Sequence, residues 1–86
     1  MPELSRFYGI VIRMHYRDHA PPHFHAEYGD GDLAVGISPI VELAGRLPRR
    51  AVAMVLDWTA IHQAELLDAW QKAQAKQPLP KIAPLP

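Results

Sequence analysis

Eighty-six residues can enclose one modest core and not two, so a single domain is expected. With 49% apolar and 21% charged residues, the composition excludes wholesale disorder. Nine Lys and Arg offset nine Asp and Glu, which argues against a protein whose affinity rests on neutralising many phosphates. The lack of cysteine excludes disulfides and thiolate metal sites.

The N-terminus, MPELSRFYG, has none of the marks of a secretory signal, and no apolar run approaches the roughly 18 residues of a membrane span. A cytoplasmic protein with no membrane partner is the expectation. RFYGIVIRMHY, Arg6 to Tyr16, is rich in β-branched and aromatic residues and reads as one strand. Alternation puts Tyr8, Ile10, Ile12, Met14 and Tyr16 on its core face, with Phe7, Gly9, Val11, Arg13 and His15 opposite. RDHAPP is a loop, because Asp18 and the Pro21–Pro22 pair interrupt any ladder.

HFHAEY alternates cleanly: Phe24, Ala26 and Tyr28 face one way, His23, His25 and Glu27 the other. GDGD marks a tight turn, and LAVGIS follows with Leu33, Val35 and Ile37 inward and Ala34, Gly36 and Ser38 outward. Pro39 ends that strand, and IVEL adds a short fourth before Gly45. From Pro48 to about Ala75 the period becomes helical, with Val52, Val55, Leu56, Thr59, Leu66, Leu67 and Trp70 on one side. Met54 and Ile61 fall off that arc, so the helix either buries a second surface or breaks near His62. QPLPKIAPLP carries four prolines in ten residues and is extended. It docks on its own domain or on another chain.

The fold class expected is α+β: a three- to four-stranded antiparallel meander with one long or broken C-terminal helix on one face. Residues 1–75 form the domain and 76–86 the proline-rich tail.

Four of the five histidines lie between His15 and His25. If the first two strands pair as a hairpin, parity gathers Arg13, His15, His23, His25 and Glu27 on the face away from the helix, beside a row of small residues. Three functions compete for this shallow groove. His-x-His with His15 is a candidate set for a zinc or copper ion, against the simpler expectation of no cofactor. His23 and His25 can move protons while Arg13 holds phosphate, which is what a metal-independent ribonuclease needs. In the third, His and Tyr side chains anchor a protein partner, with Phe24, Glu27 and Tyr28 as the binding candidates. The plainest alternative leaves the histidines solvated, as expected for His19 in the loop. His62 and Glu65 are spaced to meet on a helix, where a packing role is expected. Arg46, Arg49 and Arg50 read as a solvated cluster.

Taken together, SRFYGIVIRMHYRDHAPPHFHAEYG and LPRRAVAMVLDWTAIHQAELLDAW resemble a small bacterial family, the domain of unknown function 4160. APPHFHAEYG is the most specific part. The resemblance implies a bacterial protein encoded beside another small protein, in an arrangement like a toxin–antitoxin pair. This chain is then expected to be the toxin-like member, its partner the cognate small protein, with RNA as a further ligand. Arg13, His23, Phe24, His25 and Tyr28 match the family's motif, whereas His15 stands where the family tends to have another residue. An exposed sheet edge also makes a homodimer credible.

Overall fold

A computed structural model describes residues 2–86. It is an α+β fold in two layers, one five-stranded antiparallel sheet and two helices. The strands are β1 (Glu3–Phe7), β2 (Ile10–Arg13), β3 (His23–Tyr28), β4 (Gly31–Ile37) and β5 (Ile40–Arg46), and they lie side by side in chain order. The helices are α1 (Arg49–Ile61) and α2 (Gln63–Gln74).

The strand count corrects the expected three or four. What reads as one strand from Arg6 to Tyr16 is a hairpin, because Tyr8 and Gly9 both take positive φ (50° and 81°) and reverse the chain. A two-residue turn of type I′ needs this at both central positions, and only Gly9 signals it in the sequence. Parity therefore restarts within the segment. Ile10, Ile12 and Met14 are buried as expected. Tyr8 and Tyr16, assigned to the core, are exposed, and Phe7, assigned to the outer face, packs against Trp58.

The fourth expected strand, IVEL, runs from Ile40 to Arg46 as β5. It passes through Gly45, whose φ of +90° and close approach to the Asp32 carbonyl leave no room for a side chain. Pairing jumps from Val35↔Glu42 to Ala34↔Ala44, so Leu43 is the extra residue of a bulge.

The long helix breaks where the sequence left the choice open. His62 leaves helical geometry (φ −111°, ψ 21°) and turns the chain so that both segments bury a face against the sheet. Ala51, Val55, Trp58 and Thr59 are buried from α1, and Leu66, Ala69, Trp70 and Ala73 from α2. Pro48 stands at the N-cap position of α1, where its carbonyl accepts the Val52 N–H at 3.0 Å. The Gln63 amide donates to the Ile37 carbonyl at 2.8 Å, tying the start of α2 to the end of β4.

The proline-rich tail returns to its own domain. The Ile82 N–H donates to Leu4 O at 2.8 Å, Lys81 Nζ reaches Glu3 O at 3.0 Å, and Trp58 Nε1 donates to Ala83 O at 2.8 Å. Ile82 is buried in the core cluster, so the free edge of β1 is covered. No helix is long and apolar enough to cross a membrane among the described residues.

Candidate functional site

Cross-strand register decides which side chains share the face that the helices leave open. One row runs Arg13–His25–Ala34–Ala44, the next His23–Gly36–Val41, and on the other flank Val11–Glu27–Asp32–Arg46. Directly paired residues point to the same side of a sheet, so Arg13, His23, His25 and Glu27 gather on one surface beside small residues. Ser38, counted among those small residues from the sequence, sits beyond the end of β4 in the turn to β5.

The histidines converge. The rings of His23 and His25 stand 5.4 Å apart, and His15 meets His25 edge-on at 4.7 Å. His23 also touches Trp70 of α2 at 5.3 Å, so the helix layer closes one side of the cluster. Side-chain exposures of 13% for His23 and 21% for His25 leave both rings reachable but largely shielded.

Asp18 lies between them, and sequence reading places it only in the loop. Its Oδ2 is 3.0 Å from His23 Nε2 and 3.9 Å from His25 Nε2, while Oδ1 accepts the His19 N–H at 2.8 Å. Two contacts with α2 pin the loop: Arg17 N–H to Ala73 O at 3.3 Å, and the Gln74 amide to Asp18 O at 3.1 Å. Burial alone would raise the Asp18 carboxyl. The His19 amide and the nearby rings of His23 and His15 outweigh it and hold the group below its ordinary value.

Two of the three imidazoles have a polar group behind them. His23 Nδ1 lies 2.8 Å from the Pro21 carbonyl, which can only accept, so that nitrogen carries a proton. His25 Nδ1 lies 3.5 Å from Asp32 Oδ2. Arg13, the phosphate-binding candidate, is ion-paired to Glu27 at 3.1 Å. A groove of about 430 Å³ opens beside His15 and His25, and its other polar walls are Glu27, Asp30 and Asp32. An array with more carboxylates than cations suits a positive ligand better than a polyanion.

Two expected binding residues lie elsewhere. Phe24 is fully buried and packs edge-on against Trp58, so it is a core residue; alternation within β3 sends it inward. Tyr28 is exposed but points to the helix side, where its ring covers Gly9 and lines a separate depression with Pro48, Arg50 and Met54. The alternative metal set of His15, His23 and His25 is also revised, because among the described residues the trio with converging ligand atoms is His15, Asp18 and His25. His19 is exposed. His62 is buried, with Nδ1 2.6 Å from Glu65 Oε1, and is a helix-junction residue apart from this face.

No curated protein and no solved structure matches the chain. The model of the family described as Domain of unknown function (DUF4160) matches residues 9–71, which include β2 to β5, all the clustered histidines, Asp18 and most of both helices. With most of its length matched, the chain belongs to that family.

Proposed function

We propose that this chain is the protein-binding member of a bacterial two-gene module of toxin–antitoxin type. It engages the small protein encoded beside it through the β5 edge and the outer face next to it. One observation carries the reading. From Val41 to Arg46 every residue of β5 is exposed, and no strand among the described residues pairs with its far edge. Val41 (40% exposed) and Leu43 (43%) stand over Gly36, forming an apolar strip beside the histidines. A strand edge supplies main-chain hydrogen bonds, and neighbouring apolar side chains supply affinity, which is how an added strand is recognised. A cytoplasmic setting goes with this reading and with the absence of cysteine.

The test is co-expression with the neighbouring gene product. Complex formation is expected to be lost in Val41→Lys and Leu43→Lys proteins and kept in His25→Ala. A complex that tolerates both lysines would overturn the reading. So would a homodimer of the chain alone that uses this same edge, because the edge would then be occupied by a second copy.

A second reading, ribonuclease action by the toxin-like member, is favoured by the 5.4 Å approach of His23 and His25 around Asp18. In it those rings move protons and Arg13 meets phosphate. The neutral net charge and the Arg13–Glu27 pair weigh against it. Growth inhibition and RNA cleavage that are unchanged in His25→Ala protein would remove it.

A further inference from the structure

We propose that His15, Asp18 and His25 form a binding site for one divalent first-row transition ion, and that its open coordination positions face the groove beside them. The inference is independent of the partner reading, because it concerns the cluster and not the β5 edge.

The three ligand atoms lie within 4.8 Å of one another. Two ligands on zinc at about 2.0–2.1 Å stand about 3.4 Å apart in a tetrahedron and at most about 4.2 Å apart. The 3.9 Å from His25 Nε2 to Asp18 Oδ2 is too long for a hydrogen bond and fits two ligands of a shared ion. Closing the rest of the trio takes a shift of roughly 1 Å, within reach of partly exposed side chains.

The outer contacts give the second, separate support. Metal-bound imidazole usually donates its other nitrogen to a carboxylate or carbonyl, which fixes the ring. His25 Nδ1 faces Asp32 Oδ2 at 3.5 Å, where a small shift would make that bond, and Nε2 is presented to the cluster. On the carboxylate side, the His19 amide binds Oδ1 and leaves Oδ2 for the ion. Two imidazoles and one carboxylate suit zinc, iron(II), cobalt(II) or nickel(II), and an uncrowded groove leaves positions for water or a small ligand.

The full chain, freed of any purification tag and of bound metal, is titrated with zinc in a calorimeter and with cobalt(II) followed by visible absorption. One equivalent per chain is expected, with a rise in melting temperature on adding zinc. His25→Ala and Asp18→Asn are expected to weaken binding more than 100-fold and to abolish that rise. Asp32→Asn acts through His25 and is expected to weaken binding 10–100-fold. His19→Ala and His62→Ala are expected to bind as the parent does. No stoichiometric binding by the parent chain overturns the proposal. Binding and zinc-induced stabilisation that persist unchanged in both His25→Ala and Asp18→Asn overturn it as well.

Discussion

The two edges of the sheet are treated in opposite ways. At β1, the tail crosses the open side of the strand, the Ile82 N–H bonds Leu4 O, and the Ile82 side chain enters the core. At β5 no such cover exists among the described residues, no proline interrupts Ile40–Arg46, and Val41 and Leu43 remain in solvent. Prolines at 78, 80, 84 and 86 suit the tail to its task, because a segment short of N–H groups can end a sheet without extending it. Residues 78–86 thus close one edge, and no described residue closes the other. An unprotected apolar edge invites pairing with another chain, and the partner proposed above would satisfy it.

Trp58 links the sealed edge to the core, and its replacement is the largest perturbation. Trp58→Ala is expected to cost about 3–5 kcal/mol in urea unfolding. Trp58→Phe, which keeps much of the packing but loses the bond to Ala83 O, is expected to cost far less. Equal losses would mean that the tail bond, not the ring, dominates. Removing residues 78–86 strips Ile82 from the core and is expected to cost about 1.5–3 kcal/mol. Amide exchange should then accelerate in β1 and stay unchanged in β5. Uniform acceleration would show that the tail supports the whole domain and does not act as an edge cover.

On the open side, Gly45→Ala forces a side chain into left-handed backbone against the Asp32 carbonyl. The backbone alone is expected to cost about 1–2 kcal/mol, read as a lowered urea midpoint. Leu43→Lys is the smallest perturbation, expected within about 0.5 kcal/mol of the parent because the side chain is already wet. A large loss there would place Leu43 in the fold and not in a binding surface.

Much of the outer face is legible from residue order. His23, His25 and Glu27 alternate with Phe24 and Ala26, and Arg13 with Ile12 and Met14, so opposite sides follow once these segments are strands. Tyr8 shows where that logic stops. Its positive φ turns the chain, and since a tyrosine gives no sign of this, the alternation read through it assigned Phe7 to solvent. At His62 the two helices meet without Gly or Pro, and the break answers the need of both segments to face one sheet. Phe24 is inward by period two, and its burial against Trp58 removes it from the binding candidates.

Residue order by itself determined the α+β class, the inward run Ile10, Ile12, Met14, and the set of polar side chains on the reverse of β2 and β3. These follow from covalent alternation along a strand, which needs no distant partner. Tertiary structure alone decided that Asp18 enters the histidine cluster and that the tail seals β1 while β5 stays open. The first depends on α2 holding the loop through Ala73 and Gln74, the second on Ile82 finding Leu4 almost the whole chain away. Contacts between residues so far apart leave no periodic trace, because no backbone geometry connects their positions.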